Sequence, residues 1–177
     1  VISIIYLNGE YIPIGEAMVS VEDRAFLFAD AVYEAVPVYS GKCFLPEQHM
    51  SRLASGLAAI EIEFAGKEFD GVSEQLVARN DLANAEFSLF YMQVTRGAAP
   101  RTHAFPIKRV PPTVYAFVKK LTRATPNRWA EGYAAITVLD QRWGRANIKT
   151  TGLLPNVLAQ QSAVVANVED AIFIRDG

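Results

Sequence analysis

"AVYEAVPVYSGKCFLPEQHMSRLASGLAAI", residues 31–60, changes periodicity part way along. Residues 31–40 are rich in β-branched and aromatic side chains, which suit a pleated, half-buried surface. The turn signal Ser40-Gly41-Lys42 closes that run. Beyond it Met50, Leu53, Leu57 and Ile60 recur at helical spacing, and Pro46 suits a first helical turn. The reading is a strand, a turn, then a helix whose apolar stripe needs a sheet to cover.

Upstream, "SIIYLNGEYIPI" has two apolar runs around Asn8-Gly9. That dipeptide tolerates the positive φ of a type I′ turn and predicts an antiparallel hairpin. Downstream, a helix is expected over residues 72–79, with Asp70 or Ser73 near its start. "FSLFYMQVTRG" and "PTVYAFVKKL" are strand-like, and the polar "TRATPNRWAEG" separates them from the strand-like "YAAITVLDQRW". The loop "GRANIKTTG", a helix "LLPNVLAQQSAVVANV" and a strand within "VEDAIFIRDG" follow. This order predicts an α+β protein, an antiparallel sheet with helices and then the start of a second β-rich unit. The expected organisation is an N-terminal domain over residues 1–120, a linker over 121–131 and the second domain over 132–177. No internal repeat is visible.

With 177 residues, 51% hydrophobic and 20% charged, the chain is long enough and apolar enough for a real core. A net charge of −2 without a basic run gives no electrostatic footprint for nucleic acid or an anionic membrane. The single cysteine, Cys43, excludes an internal disulfide, so a reducing, cytoplasmic setting is the expectation; with two histidines a zinc site would have to lean on carboxylates, and none is expected. The amino-terminal apolar run lacks a basic leader and a small-residue cleavage site, and no stretch is long enough to cross a bilayer. The start at Val1 suggests that upstream residues were removed, and the final strand, ending at Gly177, reads as an interruption.

Five residues invite chemistry. Lys149, in "RANIKTTGLLPN", follows a strand and precedes a helix. Most lysines are simply solvated; the other reading is an amine nucleophile, which desolvation or nearby positive charge helps to lose its proton. Arg142 and Arg145 are close in sequence, and "GLLPNVL" is apolar enough to supply burial. Arg52 is either a surface arginine of its helix or a planar fork for a phosphate. His49, three residues earlier, shares its helix face. Tyr33 is by default a packed aromatic. Arg101 and His103, in "VTRGAAPRTHAFP", point the same way if that segment is extended, and both could then face one carboxylate; the plain alternative is an exposed loop.

Taken in order, "YLNGEYI", "VEDRAFLFADAVYEAVPVYSGKCF", "EQHMSRL", "FYMQVTRGAAPRTHAFP", "DQRWGRANIKTTGLLPNVLAQQ" and "EDAIFIRDG" resemble the fold-type IV pyridoxal-phosphate enzymes, or class IV aminotransferases, and most closely the D-amino acid aminotransferases. The resemblance implies their two-domain fold, with the second domain incomplete in this chain. It gives Lys149 the role of holding pyridoxal phosphate as an imine and of acting as catalytic acid and base. It gives Arg52 the cofactor phosphate. Tyr33, with Arg101 and His103 arriving from a neighbouring subunit, matches the carboxylate trap of the family, so a homodimer is implied. The reaction implied is transfer of the amino group from a D-amino acid such as D-alanine to a 2-oxo acid such as 2-oxoglutarate. Branched-chain aminotransferases and aminodeoxychorismate lyases share the fold and are the alternatives, with an inactive fragment or interaction module as a third. The family continues well past Gly177, so a second polypeptide completing the fold, or a longer chain, is expected. Departures fall at "FADAVYE", with alanines where glycines are common, at "GRAN" and at the proline of "GLLPN".

Overall fold

In the computed structural model, which describes residues 3–66, 69 and 71–176, Asn8 and Gly9 take φ of 50° and 97°. They turn the chain between strands β1 (Ile4–Leu7) and β2 (Glu10–Pro13), paired antiparallel as expected. The chain divides into two units. One runs through Thr122 and also takes in Ile148–Thr151; the other comprises Arg123–Asn147 and the residues from Gly152 onward.

The first unit is an antiparallel sheet backed by helices. After helix α1 (Arg24–Phe28) come strands β3 (Ala31–Tyr39) and β4 (Lys42–Cys43), then helices α2 (Pro46–Ala59) and α3 (Val72–Arg79), then strands β5 (Phe87–Thr95) and β6 (Val114–Lys120). The strand order is β2-β1-β6-β5-β3-β4. Ser40 and Gly41 take φ of 46° and 77°, so the expected turn also folds Lys42 back onto Tyr39 and makes the short β4.

Alternation sorts the two sheet faces. Val32, Val36 and Val38 of β3, Phe90, Met92 and Val94 of β5, and Val114, Ala116 and Val118 of β6 are buried against Leu53 and Leu57 of α2 and Val72, Leu76 and Val77 of α3. Helix α2 comes in close at Gly56, where an added Cβ would lie 2.9 Å from Val32 Cγ1. Helix α3 starts without the expected side-chain cap: Gly71 precedes it in the left-handed region, and the Ser73 hydroxyl donates to its neighbour Glu74 instead. Asp70 lies outside the described residues.

Strand β4 covers only Val38 and Tyr39 on its edge of β3. Residues 148–150 occupy the other end of that edge: Thr150 bridges Val32, and the Tyr33 N–H donates to the Lys149 carbonyl at 3.0 Å. Ile148 anchors the segment, being 4% exposed and packed in the same core as Val32 and Leu53. The "GRANIKTTG" segment, expected as a loop, thus contributes one short edge pairing.

The second unit holds helix α4 (Pro126–Glu131), strand β7 (Ala135–Leu139), helix α5 (Leu154–Val165) and strand β8 (Asp170–Ile174). Helix α4 lies within the polar segment 121–131 and is capped by Thr125, whose hydroxyl accepts from the Arg128 N–H. Strands β7 and β8 run parallel, in register from Ala135 with Asp170 to Leu139 with Ile174. Parallel strands need a crossover, and α5 lies within it. At the end of β7, the Asp140 carboxylate accepts from Arg142 Nη2 at 2.8 Å and pairs with Arg175 at 3.0 Å. Among the described residues no helix is long and apolar enough to cross a membrane.

Candidate active site

The antiparallel bridge of Val32 with Thr150 sets Tyr33 and Lys149 side by side on the sheet face opposite the helices. The Lys149 ammonium lies 4.3 Å from the Tyr33 ring centroid, a cation–π distance. The Tyr33 ring stacks on Tyr91 at 5.4 Å, and Tyr91 stacks on Phe117 at 5.1 Å. Burial first, and then the neighbouring phenols of Tyr33 and Tyr115, push the Tyr91 hydroxyl well above its ordinary pKa. It therefore stays a donor, and it donates to Gln93 Oε1 at 2.8 Å. Gln93 stands opposite Tyr33 in the strand register, so Lys149, Tyr33 and Gln93 form a row across three neighbouring strand segments.

Lys149 is half-buried and, among the described residues, has no carboxylate within ion-pair distance. Arg142 is engaged by Asp140, and Leu153, Leu154, Val157 and Leu158 of the apolar stretch after Lys149 are exposed. The Lys149 amine is placed by the β3 edge and the Tyr33 ring.

On the other face of β3, next to Tyr33, Glu34 is fully buried. Its Oε1 accepts from Arg52 Nε at 2.5 Å, and its Oε2 accepts from Arg52 Nη2 at 2.7 Å and lies 2.9 Å from His49 Nδ1. Burial works against the charged carboxylate, yet the hydrogen bonds from Arg52 and His49, with their charges, hold its pKa below the ordinary value. The same bond to Glu34 raises that of Arg52, to which a charge on the nearby Tyr33 phenol also contributes. His49 and Arg52 share a helix face, as their spacing predicts, and spend it on this one carboxylate. The Arg52 side chain nonetheless remains 56% exposed.

Arg101 and His103 stand elsewhere. Residues 101–104 bend, so the extended geometry expected for them is absent; what brings the pair together is the Phe28 ring, with the Arg101 guanidinium at 5.2 Å and the His103 ring at 5.6 Å. Both side chains are exposed, and among the described residues neither contacts Tyr33. The loop is held from below. Arg24 Nη1 donates to the Thr102 carbonyl at 2.7 Å, and its Nε donates to Asp30 at 2.8 Å. Asp30 also accepts from Arg96 Nε at 2.7 Å and Nη2 at 3.0 Å, and Arg96 reaches on to the carbonyls of Ile60 and Glu61. Asp23 is, like Glu34, a buried carboxylate, accepting from the Thr95 and Thr113 hydroxyls and capping α1.

The structure thus pairs Lys149 with Tyr33 on one face of β3 and Arg52 with Glu34 on the other, and rests Arg101 and His103 on Phe28. Glu34, Asp30, Arg24, Arg96 and Gln93 escaped the sequence reading. Glu34 carried a signal, being the one carboxylate in the inward row of Val32, Val36 and Val38. Among the described residues no group of three metal-ligating side chains occurs.

The class IV amino-transferase family model matches residues 31–177. A D-alanine aminotransferase of Staphylococcus haemolyticus is 38% identical over 170 residues, covering 95% of this chain and 59% of the relative. A D-alanine aminotransferase of Bacillus licheniformis is 37% identical over 98% of this chain and 60% of its own. The branched-chain amino acid aminotransferase from Escherichia coli superposes with a TM-score of 0.81 at 17% identity, over 98% of this chain and 58% of that one. The PLP-bound form of a hypothetical aminotransferase from Mycobacterium tuberculosis gives a TM-score of 0.78 at 21% identity, over 97% and 61%. These two share the fold with this chain. The chain spans about three fifths of the length of the curated relatives it matches. From the match over residues 31–177 and the D-alanine aminotransferase relatives, the chain belongs to the class IV amino-transferase family.

Proposed function

We propose that this chain carries the amine-bearing part of a pyridoxal-phosphate-dependent D-amino acid aminotransferase. The observation that carries the reading is Lys149 Nζ held 4.3 Å over the Tyr33 ring, on a segment pinned to the edge of β3. The similarity to D-alanine aminotransferases supports the substrate class.

The donor set fits the cofactor: a half-buried amine for its aldehyde with an aromatic wall beside it, and an exposed guanidinium for its phosphate. When bound, pyridoxal phosphate supplies the aldehyde that takes up the amino group and a ring that withdraws electrons from the substrate Cα. Lys149 then removes the proton from the substrate Cα and returns it during the transfer, a general acid and base fixed in place by its backbone bond to Tyr33. Arg52 offers its remaining N–H groups to the phosphate. Tyr33 contributes its hydroxyl to the substrate carboxylate, and Arg101 and His103 of a neighbouring subunit complete that grip. The exposure of both residues, and their lack of contact with the chain's own Tyr33 among the described residues, support a role in trans, and hence a homodimer. Holding the carboxylate on one side fixes which enantiomer turns its Cα–H toward Lys149.

The test is a substrate comparison in the full chain with 2-oxoglutarate as acceptor. D-alanine should yield pyruvate and glutamate, while L-alanine and L-leucine should yield no product above background. Preferential turnover of L-leucine, or release of pyruvate from aminodeoxychorismate, would reassign the substrate class.

A further inference from the structure

We propose that Glu34, supported by His49, is a positioning residue that aims Arg52 at the cofactor phosphate. The inference rests on the reading that Arg52 binds that phosphate.

Glu34 breaks the pattern of its strand. The inward row of β3 is otherwise valine, and a carboxylate with no exposed surface is rare unless something holds it. What holds it is a side-on, two-point grip on Arg52 through Nε at 2.5 Å and Nη2 at 2.7 Å, with His49 Nδ1 2.9 Å from the oxygen that Nη2 uses. A grip through Nε and one Nη fixes the plane of the guanidinium and leaves Nη1 and the outer hydrogen of Nη2 uncommitted. Those hydrogens belong to a side chain that is 56% exposed although its inner edge is clamped to a group with no exposure. For the fold alone the guanidinium could finish inside, as those of Arg24 and Arg96 do. An arginine that must receive a dianion gains preorganisation, because its rotamers are fixed before the ligand arrives. Glu34 also follows Tyr33 directly on a rigid strand. One element therefore spaces the guanidinium from the ring that carries Lys149, and with it the phosphate end of the cofactor from the aldehyde end.

The experiment compares binding of pyridoxal phosphate with binding of pyridoxal, which lacks the phosphate, to the full chain carrying Glu34→Gln, Arg52→Ala, both changes, or His49→Gln. Glu34→Gln should weaken pyridoxal phosphate by about ten- to a hundredfold, the usual effect of removing a group that orients a ligand, while pyridoxal stays within about twofold. In the Arg52→Ala background it should do nothing further to the ratio of the two affinities. His49→Gln, which touches a less buried group, should move the ratio the same way by less. The proposal is overturned if Glu34→Gln leaves the ratio at the wild-type value, if it weakens both ligands equally, or if its effect persists unchanged without Arg52. A wild-type ratio in Arg52→Ala would instead remove the phosphate reading of Arg52 itself.

Discussion

Asp30 and Glu34 both stand at the head of β3, and each is held by two basic side chains, but the arginines they hold end in different places. Arg24 and Arg96 are 3% and 9% exposed, and past Asp30 they donate to the main-chain carbonyls of Thr102, Ile60 and Glu61. Their hydrogen-bonding capacity is turned inward, so that network fastens the 101–103 loop and the end of α2 to the sheet. Arg52 is 56% exposed, and beyond Glu34 no protein acceptor takes its remaining N–H groups among the described residues. A carboxylate is thus a structural rivet when its arginines finish inside, and on the proposed reading a mount for a ligand group when its arginine finishes outside.

Replacing Asp30 should produce the largest effect. Asp30→Ala leaves two nearly buried guanidiniums without a counter-charge, a situation that costs about 3–5 kcal/mol. Chemical denaturation should register a loss of unfolding free energy of that size, seen as a lower midpoint; an unchanged midpoint would dissolve the distinction between the two carboxylates. The same network should govern acid stability. Burial opposes the charged form of Asp30, but the bonds from Arg96 and Arg24 hold its folded-state pKa below the ordinary 3.8. Glu34 is likewise held below 4.5. The stability these groups contribute is complete above those unfolded-state values and is lost as pH falls through the lower folded-state ones. Asp30→Asn should flatten that acid limb.

Glu34→Gln should cost less, about 1–2 kcal/mol for a buried bond made poorer, since water solvates the exposed Arg52 once it is released. A loss equal to that of Asp30→Ala would make Glu34 a second rivet. Arg101→Ala should be the mildest in stability, within about 0.5 kcal/mol, because the side chain is exposed and only rests on Phe28. Its effect should fall on KM for the amino acid, raised about tenfold for the loss of one charged hydrogen bond, with cofactor absorbance intact.

Much of the fold was legible because it is local. Asn8-Gly9 specified its hairpin, the apolar spacing from Met50 to Ile60 specified α2, and the strand-like runs "FSLFYMQVTRG" and "PTVYAFVKKL" specified β5 and β6. The site was legible by residue identity but not by arrangement. Nothing near Lys149 in sequence announces that residues 148–150 complete the edge of β3, since that pairing joins distant parts of the chain. The arginines at 142 and 145 were the obvious local sources of charge, and Asp140 takes the first of them. The bends at 101–104 and their support on Phe28 were hidden for the same reason, whereas Glu34 was readable as a charge in a row of valines.

The central claim is that Lys149 is the amine that carries the cofactor. Borohydride reduction of the full chain loaded with pyridoxal phosphate, followed by proteolysis and mass spectrometry, tests it directly. The account predicts a single phosphopyridoxyl-modified peptide, the one containing Lys149, and loss of both label and visible absorbance in Lys149→Ala. Stoichiometric label on another lysine, or an unchanged visible band in that variant, would contradict it.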